Sequence, residues 1–365
     1  MGKSVLVHIC CSVDSHFFLQ KLQKLYPDEK LVGFFYDPNI HPYSEYRLRL
    51  LDVKRSCEKL GVELIEGDYD YEGWLKAVSG LENEPEKGRR CSICFDNRLE
   101  ESARKALEIG EKSLTTTLLT SPKKSIEQLR QRANKISEKY NIDIITPDFR
   151  KGGGTSEQFA MAKRDMLYHQ NYCGCMYALS MQRESQNRFK DELCLPVTKQ
   201  ILPSSIEERI ELYERVYELE KENIHFRLRR EKFLNYRLLK AYVKKEKVVI
   251  PSYIIFYSYL KRGYTRGKLD FIKDGIGYFS REEILFLDIE RLNRLMGKDY
   301  GSVRDMLKKP PEIEEEILLR NMVCDTSVLS LSPIIVLDEL TSNRYEIELN
   351  SKIYDDVREN LVIFR

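Results

Sequence analysis

The chain has 365 residues, 42% of them hydrophobic and 32% charged, a composition typical of a soluble globular protein. Because this length exceeds what one small core serves, we expect at least two domains. The formal net charge of +2 excludes a global field that would attract nucleic acid. No apolar run approaches the roughly 18 residues of a membrane span, and the first residues show no signal-peptide pattern. We therefore expect a cytoplasmic protein with no membrane partner, in which thiols stay reduced.

The first predicted element is an apolar strand, residues 5–7, that leads to adjacent thiols at Cys10 and Cys11. Asp14 follows, and a helical pattern begins at Ser15. Ligands bind at the carboxyl ends of strands in open α/β sheets, and a helix N-terminus stabilises thiolates. This loop therefore suggests a metal site. The alternative is a buried pair of cysteines that only fills space.

Further strands and helices alternate along the first half of the chain. Strands are predicted at 31–36, 62–65, 113–119 and 142–145, and helices at 44–57, 96–109 and 156–168. Such alternation predicts an α/β fold with a doubly wound parallel sheet. The second strand runs into a rigid loop with two prolines, where His41 is a candidate for substrate contact. The alternative is a histidine hydrogen-bonded to the loop backbone.

Six of the nine cysteines form three tight groups, and all three groups lie in the first half of the chain. The groups are Cys10–Cys11, the C-x-x-C pair Cys91 and Cys94, and the C-x-C pair Cys173 and Cys175. C-x-x-C spacing is common to zinc sites and to iron–sulfur clusters. A directly adjacent pair is less usual in a zinc knuckle, so the set favours iron.

Six motifs occur in a fixed order over residues ~3 to ~180: V-H-I-C-C, F-Y-D-P-N-I-H-P-Y-S-E-Y, R-R-C-S-I-C-F, T-T-T-L-L-T-S-P, P-D-F-R-K-G and Y-C-G-C. Together they resemble the epoxyqueuosine reductase QueH family. The resemblance implies a fold similar to PP-loop-like (HUP) α/β proteins. It also implies reduction of epoxyqueuosine to queuosine at the wobble position of tRNA, the last step of queuosine biosynthesis.

The resemblance implies a [4Fe-4S] cluster and a possible additional mononuclear iron. The cluster positions in this chain are Cys10, Cys11, Cys91 and Cys94. Asp14 is the candidate ligand of the additional iron and therefore a candidate catalytic residue. Many members have a cysteine where this chain has Asp14, which keeps an anionic ligand but loses a soft one.

The resemblance further implies a redox-active disulfide between Cys173 and Cys175, which would pass electrons from an unidentified external donor. A pair of ordinary reduced thiols is the alternative. The partner is tRNA that carries epoxyqueuosine. Candidate substrate-binding residues lie in and around the loop after the second strand: Tyr36, Asn39, His41, Tyr43 and Glu45.

The segment C-C-S-V-D-S also resembles the S-G-G-x-D-S phosphate loop of PP-loop ATP pyrophosphatases. Cysteines stand where that motif has its first Ser and first Gly, and a thiolate repels phosphate. The likeness supports the fold and argues against ATP use. Lys123 and Lys124 after T-S-P depart from the family pattern and put base contacts there in doubt. A tRNA sulfur-transfer enzyme and a non-enzymatic zinc-stabilised RNA-binding module are the alternative functions.

The second half has a different composition. We expect an iron–sulfur α/β catalytic domain over residues 1–185 and a mainly helical or α+β appendage over 186–365. Residues 205–247 are predicted to be largely helical, and residues 227–247 contain nine Lys/Arg against two acids. This basic stretch is either a tRNA backbone contact or a solvated helical face.

Overall fold

The computed structural model describes residues 4–122, 124–324 and 329–364, and the chain forms two compact units. The first unit runs to Leu193 and includes residues 209–228 and the described residues from Leu361. The second unit comprises residues 194–208 and 229–360. The sequence prediction placed the division after residue 185. In the part of the chain that the structure describes, no helix has the length and apolar character needed to cross a membrane.

The first unit is a five-stranded sheet with helices on both faces. Its strands are β1 (Ser4–Ile9), β2 (Lys30–Phe35), β3 (Glu63–Glu66), β4 (Ser113–Thr116) and β5 (Asp143–Ile144). Its helices are α1 (Ser12–Leu25), α2 (Tyr43–Leu60), α3 (Tyr71–Ala77), α4 (Arg89–Glu108), α5 (Ile126–Tyr140), α6 (Gly154–Arg164), α7 (Met176–Ser185) and, from Arg209 onward, α8 (Ile206–Lys221). The predicted α/β class is confirmed.

The sheet is parallel throughout, with strand order β3-β2-β1-β4-β5. The chain moves from β1 outward through β2 and β3 on one side, and then returns to place β4 on the other side. The order therefore reverses beside β1, and ligands bind at such a switch point, outside the carboxyl ends of the strands. The loop after β1 carries Cys10 and Cys11, so the predicted thiol pair lies at the switch point.

Alternate residues of the central strand are buried on opposite faces of the sheet, which explains its continuous apolar character. Val5, Val7 and Ile9 pack with residues of α1 and α2, whereas Leu6 packs with Leu99 and other residues of α4 and α5. All four of these β1 residues are at most 1% exposed. Because β1 is packed on both faces of the sheet, its position in the sheet is fixed, and so is the position of the thiols at its end.

The second unit is built on an eight-stranded, mostly antiparallel sheet with order β7-β6-β13-β9-β10-β11-β12-β8. The strands are β6 (Phe226–Lys245), β7 (Val248–Ile250), β8 (Tyr253–Ile254), β9 (Tyr264–Lys273), β10 (Ile276–Phe279), β11 (Leu285–Asp288), β12 (Ile334–Leu337) and β13 (Arg344–Ile363). The helices are α9 (Ile289–Met296), α10 (Val303–Lys308) and α11 (Ile313–Cys324). The appendage is therefore α+β, with more sheet than the sequence suggested.

The prediction of a largely helical segment over residues 205–247 is wrong in its second part. Only Ile206–Lys221 is helical, and Phe226–Lys245 is one long strand. Lys, Arg and Leu favour helices by intrinsic propensity, but pairing with β7 and β13 and the burial of Val243 in the core of the second unit favour the strand. A solvated helical face is therefore excluded for this basic stretch.

The core of the second unit encloses one carboxyl group, that of Glu316. Its Oε1 accepts hydrogen bonds from the Tyr253 hydroxyl (2.5 Å) and Gln200 Nε2 (2.6 Å), and its Oε2 accepts one from the Phe256 N–H (2.7 Å). Burial raises the pKa of Glu316 to about 7 in spite of these donors.

We expect this raised pKa to make the second unit less stable as the pH rises. Above the ordinary pKa of 4.5 the unfolded chain loses its proton while folded Glu316 keeps it, so about 3 kcal/mol of stability is lost up to pH 7. In Glu316→Gln this loss should be absent. Hydrogen exchange of peptides from the second unit, compared between variant and wild type at pH 5 and pH 7.5, measures the difference. Glu314→Gln, which removes an exposed carboxylate from the same helix, is the control, and a pH-independent difference for Glu316→Gln would contradict the prediction.

Candidate active site

The sequence places two thiols where β1 ends and α1 begins. Cys10 follows the last residue of β1, and Cys11 is the N-cap residue of α1. The backbone N–H of Cys10 donates to Thr117 Oγ1 (3.3 Å), and the Cys10 Sγ lies 3.5 Å from the same oxygen. Thr117 follows β4, the strand beside β1, so the two central strands of the sheet together fix the thiol.

Cys10, Cys11 and Asp14 form the one group of three or more potential metal ligands found among the described residues, with all ligand atoms within 4.8 Å. Cys10 Sγ lies 3.8 Å from Cys11 Sγ and 3.7 Å from Asp14 Oδ2. The other carboxylate oxygen of Asp14 accepts a hydrogen bond from Gln158 Nε2 (2.6 Å). The predicted grouping of these three residues is therefore present, and Gln158 orients the carboxylate.

The acidic groups of this cluster hold their protons more tightly than usual. Burial raises the pKa of Asp14 to about 6. Hydrogen bonding to Cys10 and burial raise the pKa of Cys11 well above its usual range. Three acidic groups in contact cannot all ionise without a compensating positive charge. A bound metal centre would supply that charge and displace the protons, which is the usual linkage between metal binding and deprotonation.

The C-x-x-C pair lies in the first two turns of α4. The Sγ of Cys91 accepts a hydrogen bond from the Lys87 N–H (3.3 Å), and Cys94 packs against Trp74 and Cys175. Burial raises the pKa of both thiols of the pair. Cys91 and Cys94 are not part of the group formed by Cys10, Cys11 and Asp14.

Two cations act electrostatically on more than one of the thiol groups. The guanidinium of Arg98, 3% exposed, forms an ion pair with Asp37, and its charge acts on Cys94 and on Cys10. The ammonium of Lys124 acts on Cys91, Cys94 and Cys173. Lys124 is half-buried, contacts the ring of Phe95 (5.7 Å) and has no carboxylate within ion-pair distance in the part of the chain that the structure describes. Its charge also acts on the carboxyl groups of Asp14 and Asp37. Cations in such partly desolvated surroundings favour the binding of an anionic group.

A cavity of about 100 Å³ opens beside these groups. Its lining includes Cys10, Asp14 and Cys173, and the cations Arg49, Arg98 and Lys124. The cavity therefore combines sulfur and carboxylate donors with three positive charges. Such a set can hold an anionic metal–sulfur centre and can stabilise negative charge that develops on a bound substrate.

Cys173 and Cys175 are free thiols in the structure. The disulfide is supported neither by the structure nor by the comparisons with known proteins. Cys173 lines the cavity, whereas Cys175 is the buried N-cap residue of α7, and burial raises its pKa to about 12. The C-x-C motif therefore contributes one accessible thiol and one buried thiol to the site.

The backbone conformation at position 174, between these two cysteines, requires glycine. Its φ is +101°, and an added Cβ would lie 2.7 Å from Ile40 Cγ1. Gly174→Ala should therefore lower the free energy of unfolding of the first unit by about 2 kcal/mol, through strain and a clash. Urea unfolding followed by the fluorescence of Trp74, the one tryptophan, measures it. Gly152→Ala is the control, since its φ is +61° but its Cβ would meet nothing within 4 Å. Equal losses in the two variants would contradict the role of the clash.

The five predicted substrate-binding residues have different surroundings, and none of them is among the residues that line the cavity. Tyr36 is 5% exposed and packs in the core with Phe34, and Glu45 is buried between Arg49 Nε (2.7 Å) and the Tyr168 hydroxyl (2.9 Å). These two side chains are committed to structural contacts. A substrate role for Tyr36 and Glu45 therefore finds no support in the described structure.

Of the other three, Asn39 and His41 lie in the loop next to the C-x-C motif, and Tyr43 is the first residue of α2. Asn39 Nδ2 donates to the Cys173 carbonyl (3.4 Å), and the His41 N–H donates to the Gly174 carbonyl (2.9 Å). The His41 ring stacks on Tyr71 (5.0 Å between centroids), and burial lowers its pKa, which favours a neutral imidazole. Tyr43 is 54% exposed. Their part in substrate binding stays a prediction.

Sequence reasoning missed several cavity residues. Arg98 follows Cys94 by four residues on one helix, a spacing that places both on the same face, so this signal was present. Lys124 was noticed only as a departure from a family pattern, and Lys123 lies outside the described residues. Gln158 comes from a distant helix, and no local pattern connects it with Asp14.

An α/β fold with thiols, a carboxyl group and cations at the carboxyl edge of its sheet is typical of an enzyme site for a metal or for redox chemistry. Comparison with known proteins gives the class a name. Residues 5–181 match the family "Epoxyqueuosine reductase QueH". An epoxyqueuosine reductase QueH of Helicobacter pylori is 42% identical over 368 residues, which cover 96% of this chain and 98% of that protein. The chain belongs to the epoxyqueuosine reductase QueH family and is an oxidoreductase.

A shorter relative shows how the similarity is distributed. The epoxyqueuosine reductase QueH of Histophilus somni is 37% identical over 194 residues, which cover 52% of this chain and 79% of that protein. Among solved structures, the U34-tRNA thiolase NcsA from Methanococcus maripaludis with its [4Fe-4S] cluster matches with a TM-score of 0.35 and 17% identity, covering 60% of this chain and 73% of that chain. A likeness this weak carries no conclusion about this protein.

Proposed function

We propose that this protein reduces epoxyqueuosine in tRNA to queuosine and that thiols at the N-termini of α1 and α4 hold a [4Fe-4S] cluster. The observation that carries the substrate assignment is the match to a named epoxyqueuosine reductase along 96% of this chain. The reaction removes the epoxide oxygen: two electrons and two protons convert the epoxide to an alkene and one molecule of water. Because amino-acid side chains do not supply such electrons readily, a redox cofactor is required.

The residues present fit such a cluster. The proposed ligands are Cys10, Cys11, Cys91 and Cys94, which are free thiols at the N-termini of α1 and α4. Helix N-termini favour the thiolate form. A cluster with four thiolates is anionic, and the buried guanidinium of Arg98 and the half-buried ammonium of Lys124 would balance its charge. When bound, the cluster would supply electrons to the substrate.

The groups that line the cavity have separate tasks in this proposal. Lys124 donates a hydrogen bond, and then a proton, to the epoxide oxygen as its C–O bond breaks. Burial lowers the pKa of Lys124, but the neighbouring sulfur groups outweigh this effect and the net shift is upward, so the ammonium is present at neutral pH. Asp14, held by Gln158, is the proposed ligand for an additional iron. The carboxyl group of Asp14 would lose its proton on metal binding.

The test uses protein purified without oxygen and tRNA from cells that lack this enzyme. With a chemical one-electron donor, the nucleosides of the treated tRNA should lose one oxygen atom by mass, from epoxyqueuosine to queuosine. Epoxyqueuosine that stays unchanged with iron-loaded protein would overturn the proposal.

A further inference from the structure

The exposed side of three neighbouring strands in the second unit has an excess of positive charge. This surface, which we term the basic face, comprises Lys240 and Lys244 of β6, Arg344 of β13, and Tyr264, Arg266 and Lys268 of β9. In the antiparallel register of β13 and β9, Arg344 lies directly opposite Lys268. Thr265 and Ile347, opposite each other at the alternate positions, are buried. The alternation assigns the cations to one side of the sheet.

Most of these charges are not neutralised within the protein. Three carboxylates share the face: Glu346 opposite Arg266, Glu348 opposite Tyr264, and Asp270, which follows Lys268 by two residues in β9. Glu348 pairs with Lys240 (2.6 Å). Over the described ranges of the chain, no carboxylate lies within ion-pair distance of the other four cations: Lys244, Arg266, Lys268 and Arg344. Side chains of like charge that face each other destabilise a sheet, so their presence points to an external anion.

Tyrosines are interleaved with the cations. Tyr242 lies on the same face, with the ammonium groups of Lys240 and Lys244 at 5.6 and 5.0 Å from its ring centroid. Tyr264 is 47% exposed. Cations that bind phosphate, together with aromatic rings that stack on bases or sugars, are what sheet surfaces use to bind RNA.

We propose that the basic face binds the phosphate backbone of the tRNA substrate, which gives the second unit a role in substrate affinity. This inference rests on the proposed function, which makes tRNA the substrate. The net charge of the chain is only +2, so the attraction comes from this local surface and not from the whole protein.

The experiment measures the affinity of the full-length protein for tRNA from cells that lack this enzyme, over a range of salt concentrations. In the variant Arg266→Gln/Lys268→Gln/Arg344→Gln, we expect Kd to rise about tenfold or more, and the slope of log Kd against log salt to fall by about one per cation removed. At saturating tRNA, kcat should stay within about twofold of wild type, because these residues lie outside the active site. Arg304→Gln/Lys308→Gln/Lys309→Gln, which removes three exposed cations in and beside α10, is the control and should change neither Kd nor slope.

Equal Kd and equal salt slope in the test and control variants would overturn the inference. The inference would also be overturned if the test variant kept its tRNA affinity but lost binding to vesicles of anionic lipid. The basic face would then be a membrane-binding surface. Wild-type protein that binds tRNA through this face but does not reduce epoxyqueuosine would contradict the proposed function alone. Circular dichroism of all variants establishes that each is folded.

Discussion

Cys91→Ala should abolish both the iron content and the turnover of epoxyqueuosine, with activity reduced by at least about a thousandfold. The proposed cluster needs four thiolates, and a cluster that lacks one protein ligand is bound weakly and lost readily. Iron and acid-labile sulfide, measured per chain after anaerobic purification, and single-turnover conversion of tRNA are the two measurements.

Cys324→Ala is the matched control, because Cys324 is a half-buried thiol in the second unit, outside the site. It should keep full iron content and full turnover. If Cys91→Ala retained its iron and its activity, the assignment of the α4 thiols to the cluster would be wrong, although the family assignment would stand.

Lys124→Met should lower kcat by about a hundredfold while the iron content is retained. The ammonium lines the cavity, has no carboxylate within ion-pair distance among the residues that the structure describes, and is the proposed donor of the proton to the epoxide oxygen. Methionine keeps the length and apolar stem of lysine but removes the charge. The KM for tRNA should change little, since the proposed contacts of the tRNA backbone lie on the basic face of the second unit.

Lys124→Arg, which keeps the charge, should recover part of the lost rate, and Lys163→Met removes an exposed lysine as a control for the change of residue type. Full kcat in Lys124→Met would show that the epoxide oxygen takes its proton from another source. A loss of iron in this variant would show that Arg98 alone does not balance the charge of the cluster, and the expected separation of kcat from iron content would be wrong.

The catalytic half of the fold could be predicted because its strands are short, apolar and separated by strong helices. The second half was predicted only in its coarse α+β character, and the extent of its sheet was missed. Phe226–Lys245 contains residues of high helix propensity and yet forms a strand, because it pairs with β7 and β13. Strand β7 follows it after a turn, and β13 is distant in sequence. No local pattern shows a pairing partner more than a hundred residues away.

The candidate site shows the same division. The thiols were found because cysteine groups are visible in sequence, and Asp14 because it follows the adjacent thiols and stands where members of the resembled family often have a cysteine. Tyr36 was chosen because it ends the predicted strand 31–36 beside the loop; with Phe34, its side chain faces the α4 side of the sheet, into the core, and its substrate role stays a prediction. The surroundings of Asp14 are tertiary, since Lys124 of the cavity lining and Gln158, which holds the carboxylate, come from separate parts of the chain.

The central claim, that thiols from the loop after β1 and from the first two turns of α4 hold one iron–sulfur centre, is tested most directly by an anaerobic visible and Mössbauer spectrum with metal and sulfide analysis. The account predicts a brown protein with about four inorganic sulfides and at least about four irons per chain, lost alike in Cys10→Ala and in Cys94→Ala. About one zinc per chain without iron, or a full cluster in either variant, would contradict it.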